Sequence, residues 1–303
     1  MINFTYLSWK SRYCQFIEIL LQFQSVITDE LNNSWLGLDF GSPEDEIIKK
    51  YLLDKGIGID YLNSKLAPLL SKNGFKIKFA SVFTHQKPLI TRFVSPCAKC
   101  ELGDLLIVFT YMDRLGNILL NRAILSQAKK TNKNISTCQR KLYDEDMGFL
   151  MPQTICSSST CSKFPERFFP RRWEDRCRAL KYLILDPSNI SFLTIPWGTS
   201  VSLSFSLTMW LFMLGYKGCQ FSRKPYRSDG WSAIVWDLIN VVGKPSMSKK
   251  YGSMPRGNYL SFLLNFSNYL DNDSSNCRIE VETEDGGIPS LWILVKDSEI
   301  RKG

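Results

Sequence analysis

The chain has 303 residues, 44% of them hydrophobic and 22% charged, a composition that excludes a disordered chain and a disulfide-stapled miniature. Lys and Arg outnumber Asp and Glu by 38 to 29, for a formal charge of +9, which favours phosphate-bearing or other anionic partners. A single histidine, His85, excludes the His-rich zinc hydrolase designs and leaves any Ser-His or Cys-His catalysis to one residue without a suggestive neighbour.

The opening residues, "MINFTYLSWKSRYCQF", lack a basic stretch followed by a clean apolar core, so no secretory signal is expected and the nine cysteines are expected reduced in the cytoplasm. Phe16, Ile17, Leu20, Leu21 and Phe23 have helical spacing and predict a helix from Phe16 to Leu31. In "FGSPEDEIIKKYLLDKGIG" the signals of a helix start are Ser42 as cap, Pro43 in the first helical position and acids in the first turn, with Gly56 as the stop. At 100° per residue, Ile47, Ile48, Tyr51 and Leu52 share one face and Glu44 falls near its centre, while Asp45 and Glu46 point elsewhere. A first-turn acid is favoured by the helix dipole alone. The dipole does not explain why that acid faces inward.

A second helix, "IDYLNSKLAPLLSKNG", leads into the alternating strand "FKIKFASVF". Next, Gly103 to Tyr111 predicts a strand, "MDRLGN" a turn and Ile118 to Lys129 the returning strand. Period-two alternation sets Arg122, Ile124, Ser126 and Ala128 on one side, and Ala123, Leu125, Gln127 and Lys129 on the other. The basic and aromatic segment "KFPERFFPRRWEDRCRALKYLILDP" ends in a strand from Tyr182 to Leu185. "VSLSFSLTMWLFMLGY", 201–216, is too short for a membrane span and reads as a buried core helix. A capped helix begins at Asp229 with Trp231, Ile234, Val235 and Leu238 inside, and "YLSFLLNFSNYL" is a further helix or strand. "CRIEVETEDGGIPSLWILV" predicts two strands about a Gly-Gly turn.

Charge placed at the ends of apolar strands must be compensated, because burying it alone costs several kcal/mol. A divalent ion would do so. Phosphodiester hydrolysis needs such an ion, a water nucleophile bound to it and a cation to steady the developing charge. Asp104, Gln127, Lys129 and Glu44 supply that set, with Glu101 as a reserve acid. Taken singly, Asp104 also suits a turn cap and Lys129 a solvated strand end.

"GDLLIV" with Asp104, "ILSQAKK" with Gln127 and Lys129, and the "SPEDEII" helix with Glu44 together resemble the PD-(D/E)XK, or restriction-endonuclease-like, nuclease superfamily. The variant is the D…QxK form of Mrr-type endonucleases. The resemblance covers about residues 40 to 135. It implies an α/β fold with a restriction-endonuclease-like core, a mixed central sheet flanked by helices, and an α/β C-terminal extension. The boundaries are 1–145 for the N-terminal helices and core and 146–303 for the extension, the two packed as one unit or separate.

The resemblance also implies Mg2+ or Mn2+ as cofactor and cleavage of nucleic acid, DNA first, in a bacterial restriction or anti-phage defence role. Asp104 would be the main metal ligand and Gln127 a neutral ligand or water-orienting group. The carbonyl of Ala128 would be a further ligand, Lys129 would position the water and Glu44 would be the accessory acid. Two departures stand out: Gln127 occupies a position usual for an acid, and no Pro precedes Asp104. The competing classes are a catalytically inactive nucleic-acid-binding module and a protein-interaction subunit of a defence complex. Other defence proteins, and a second copy of the chain, are the remaining partner classes, and no membrane partner is expected.

Lys130, Arg171 and Arg172 are the candidate phosphate contacts, the arginines because "FPERFFPRRWEDRCR" interleaves Arg167, Arg171, Arg172, Arg176 and Arg178 with Phe168, Phe169 and Trp173. A solvated helix with an aromatic underside reads the same way. Cys97 and Cys100, with Cys156 and Cys161, have spacings that suit a structural zinc, and Cys138 is a spare.

Overall fold

The computed structural model describes residues 4–84, 89–92, 99–131, 135–145, 148–151, 166–198, 201–222, 230–241, 278–281 and 287–298. Its helices are α1 (Phe4–Gln22), α2 (Gln24–Asn33), α3 (Glu44–Leu53), α4 (Gly58–Ser71), α5 (Thr137–Asp144), α6 (Trp173–Ala179), α7 (Phe205–Met213) and α8 (Gly230–Val241). Its first strands are β1 (Phe75–Thr84), β2 (Leu89–Arg92), β3 (Lys99–Glu101), β4 (Leu105–Met112), β5 (Ile118–Lys129), β6 (Phe149–Leu150) and β7 (Glu166–Arg167). They are followed by β8 (Leu180–Ile184), β9 (Ser191–Thr194), β10 (Ser202–Ser204), β11 (Cys219–Gln220), β12 (Arg278–Val281) and β13 (Ser290–Asp297).

One mixed sheet of nine strands runs β10-β9-β8-β5-β4-β13-β1-β12, with β11 added to β5. The protein is therefore α/β with a mixed central sheet flanked by helices. Every residue of β4, "LLIVFTYM", is buried, the pattern of a strand covered on both faces. On one face Phe16, Leu20, Tyr51, Leu62, Phe205 and Met209 pack on Phe79, Ile107, Phe109, Leu183 and Ile293. On the other, Tyr143, Ile234, Val235 and Leu238 pack on Val108, Leu125, Tyr182 and Trp292. Each large apolar side chain so covered contributes about 1.5–3 kcal/mol. These two layers fix the sheet. The boundary at 145/146 runs between strands of that one sheet, since β8, β9, β10, β12 and β13 follow it in sequence and join β1, β4 and β5 in the ladder.

The β4–β5 hairpin forms over the expected residues, with Leu105 opposite Ser126. The C-terminal hairpin does not form. β12 pairs with β1 in parallel, and β13 pairs with β1 antiparallel on its other side, so β1 lies between them. β13 also pairs with β4 in parallel, Ser290 opposite Leu106. A strand apolar on both faces is satisfied best in mid-sheet, and β13 is buried at seven of its eight positions, "BBBBBBiB".

The single helix expected over 16–31 is two helices, because Phe23 leaves the helical region (φ −104°, ψ 22°). Phe16, Leu20, Ile27 and Leu31 nonetheless all reach the core. Pro43, not Ser42, is the N-cap of α3, since its ψ of 154° is extended. Ser42 is drawn off by Asp39, whose Oδ2 accepts the Ser42 hydroxyl at 2.9 Å while Oδ1 accepts the Gly41 N–H at 2.9 Å, an Asx turn that competes with capping. In 201–216 the helix is confined to Phe205–Met213 because Ser204 caps it, accepting the Leu207 N–H at 3.2 Å, and Ser202–Ser204 pair instead as β10.

A second, four-stranded sheet, β3-β2-β6-β7, has no counterpart in the sequence reading. Arg167 on β7 is buried against Asp237 of α8, Nε to Oδ2 2.7 Å. Arg176 is 2% exposed and donates to the Pro170 carbonyl at 3.0 Å. Both arginines, part of the basic and aromatic segment of the sequence, are held inside the fold. His85, Asp229 and the segment 259–270 lie outside the described residues.

Candidate active site

β5 runs past the start of β4, and the gap left beside its last residues is filled by carboxylates. Asp104, just ahead of β4, donates its N–H to the Ser126 carbonyl at 2.8 Å. Its Oδ2 accepts the Ala128 N–H at 2.7 Å. Two residues on, Glu44 Oε1 from the first turn of α3 accepts the Lys130 N–H at 3.1 Å. Residues i and i+2 of a strand turn their peptide groups to the same edge, about 7 Å apart. By that alternation the Ala128 carbonyl faces the same gap. Asp104 is 2% exposed and Glu44 is half-buried.

Gln127 and Lys129 share the sheet face opposite to Ala128, as the period of two requires. Gln127 is fully buried, and its Nε2 donates to the Glu101 carbonyl at 3.0 Å. With the amide so oriented, Oε1 is buried and receives no hydrogen bond. Lys129 is half-buried at the strand end, where its carbonyl accepts the Leu185 N–H at 2.8 Å. The Glu101 carboxylate is turned to α5, where Gln139 Nε2 approaches Oε2 at 3.4 Å. Tyr143 of α5 is also fully buried and donates its hydroxyl to the Leu102 carbonyl at 3.2 Å. Burial pushes its ionisation well above the usual tyrosine value, and the nearby Asp104 charge adds to this.

On the α3 side a small cavity of about 80 Å³ is lined by Asp45, Glu46, Ile48, Lys49, Phe83, Thr84, Asp104 and Pro289. Asp45 and Glu46, placed elsewhere by the helical wheel, thus approach Asp104 with Glu44 close by. In a first turn, side chains lean towards the helix N-terminus and over its open end, so angular position alone misplaces them. Thr84, at the end of β1, is 2% exposed and its hydroxyl is without a hydrogen-bond partner. Lys49 Nζ lies 5.7 Å from the Phe83 ring centroid. Sequence reasoning missed Thr84, Lys49, Gln139 and Tyr143, because only the folded topology brings the end of β1 and the face of α5 to Asp104.

The remaining candidates divide. Lys130, read as a phosphate contact, donates its ammonium to the Gly41 carbonyl at 2.9 Å and so ties the approach to α3 to the end of β5. Arg171 and Arg172 are exposed at the entrance to α6, with the Arg171 guanidinium 5.3 Å over the Phe168 ring. Cys100 is buried and its thiol donates to the Glu101 carbonyl at 3.5 Å. Cys97, Cys156 and Cys161, the other members of the zinc set, lie outside the described residues. Cys138 is disulfide-bonded, which corrects the expectation that it is a reduced spare; spacing in sequence does not reveal which thiols the fold brings together.

Among the described residues no three His, Cys, Asp or Glu side chains converge as a metal-ligand group. The groups that face the gap are nevertheless oxygens, two carboxylates and the Ala128 carbonyl, while the Gln127 side chain lies on the opposite face of β5 from Ala128. Magnesium takes one or two carboxylates and keeps several waters. Two carboxylates and a main-chain carbonyl would suit a lightly liganded, hydrated Mg2+ or Mn2+. Among the described residues no helix is long and apolar enough to cross a membrane. Neither the protein-family models, nor the curated proteins, nor the solved structures contain a match to the chain.

Proposed function

We propose that the chain is a divalent-metal-dependent endonuclease that hydrolyses phosphodiester bonds of nucleic acid, DNA first, on a restriction-endonuclease-like core. The observation that carries this reading is the pair of carboxylates, Asp104 and Glu44, received by alternate peptide groups of β5 at the strand that also bears Gln127 and Lys129. Asp104 and Glu44 would hold the ion, with the Ala128 carbonyl as a neutral oxygen. When bound, the ion supplies charge neutralisation for the phosphate and a water acidified towards hydroxide. Lys129 would present its side chain at the strand end as a donor for the attacking water and a counter-charge for the phosphate in the transition state. Ala128 and Lys130 fix the carboxylates through main-chain N–H groups, so no side chain must reorganise to present them.

A specific observation favours a second reading. Gln127 is neutral, and among the described residues no three acidic side chains converge as a ligand group, as suits a nucleic-acid-binding module that does not cleave. Incubation with supercoiled plasmid and Mg2+ or Mn2+ separates the two. The nuclease gives nicked or linear product, and Lys129→Ala lowers the rate about a hundredfold with binding retained. Salt-sensitive binding without cleavage identifies the module. A folded protein that neither binds nor cuts DNA or RNA sinks both.

A further inference from the structure

We infer that α5 is the positioning element of this site and that Tyr143 is its key residue, holding the Glu101–Asp104 segment so that the Asp104 carboxylate meets the Ala128 N–H. The inference rests on the metal-site reading for its functional consequence, but its geometry stands without a metal. Tyr143 packs its ring 5.4 Å from Tyr182 and 5.7 Å from Phe169. Phenylalanine would fill that space equally well. The hydroxyl is the additional feature, and a fully buried hydroxyl is tolerated only when it is hydrogen-bonded.

Its partner is the Leu102 carbonyl, two residues before Asp104. Between them Gly103 lies flat on the same group: a Cβ there would stand 2.7 Å from Leu125 Cδ1 and 3.2 Å from the Tyr143 hydroxyl. The segment is thus pressed between β5 and α5 with no slack. Gln139, one turn earlier on α5, reaches the Glu101 carboxylate, and Gln127 reaches the Glu101 carbonyl. Three side chains, two of them from one helix, therefore grip residues 101 and 102. The next two residues deliver Asp104 to β5.

Partners of this kind, once removed, typically weaken metal binding 10- to 100-fold. Tyr143→Phe tests the inference in the full chain with two readouts. Amide hydrogen exchange at Ala128 reports whether Asp104 still covers that N–H without any metal, and Mn2+ titration by electron paramagnetic resonance reports the ion site. The variant is expected to lose Ala128 protection about tenfold while amides in mid-hairpin, at Val108 and Ala123, keep theirs. Its Mn2+ affinity is expected to fall by a similar factor, with kcat reduced and KM for DNA unchanged. Wild-type protection at Ala128 in the variant overturns the inference. Lost protection in a protein whose wild type binds no Mn2+ upholds the positioning role and sinks the metal reading instead. Gly103→Ala, which crowds the same hydroxyl from the other side, gives the same readouts if the Phe variant does not fold.

Discussion

The sheet buries an aspartate at each end of its centre, and the two are handled in opposite ways. Asp297, the last residue of β13, meets Arg12 at 2.6 Å and Arg114 at 3.3 Å. Asp104, at the other end, is received by the Ala128 main-chain N–H and borders a polar cavity. Two guanidiniums close a carboxylate off by occupying its lone pairs; a peptide N–H orients it and leaves room beside it. Equal burial, 6% and 2% exposed, therefore describes a staple in one case and a candidate ligand in the other.

That contrast breaks first at Asp104. Asp104→Asn keeps an acceptor for the Ala128 N–H and removes the charge, so cleavage is expected to fall about a thousandfold or more, some 4 kcal/mol in the barrier, with the urea midpoint nearly unmoved. Asp297→Asn should do the reverse. It leaves Arg12 and Arg114 without their charge partner and is expected to cost about 2 kcal/mol by urea unfolding, below the roughly 3–5 kcal/mol of a fully buried broken pair because Arg114 is half-exposed. Cleavage by the folded fraction should stay at the wild-type rate. An Asp297 variant that folds normally yet cannot cleave would erase the distinction.

Lys181 sharpens the comparison with a buried charge of the opposite sign. It is 2% exposed on β8 and donates to the Cys177 carbonyl at the end of α6. Burial, reinforced by Lys217, lowers its pKa to about 8. Between pH 8 and the unfolded lysine value of about 10.4 the unfolded chain binds the extra proton, so stability rises with pH across that window and is at its low plateau below it. The expected gain is on the order of 3 kcal/mol. Lys181→Met should abolish that gain, read as the difference between the two proteins in urea titrations at pH 7.5 and 10.

Local features were the most legible in the sequence. The β4–β5 hairpin was readable because period-two alternation and a Gly-bearing turn are local signals, and the first-turn acids of α3 were readable from the helix-start grammar. Which of those acids would approach Asp104 was not, since Asp45 and Glu46 reach the cavity by leaning over the helix end. The two C-terminal strands are legible as strands, but their sequence suggests a hairpin where the fold pairs each with β1. Nothing in "CRIEVETEDGGIPSLWILV" records that β1, some two hundred residues earlier, will take the place between them. Tyr143 and Gln139 carried no mark in the sequence because their role depends on α5 lying over Glu101 and Leu102.

The central place of β13 has a kinetic consequence. Among the described residues β1 and β4 are joined in the ladder through β13, residues 290–297, which are made long after either strand. Until that late segment inserts, the first strand and the hairpin are two unjoined fragments, and closing so wide a loop makes assembly slow. Pro289, which lines the cavity beside Asp104, arrives with the same insertion. The wall of the pocket that Pro289 supplies and the strand that closes the sheet therefore come from the same stretch of chain.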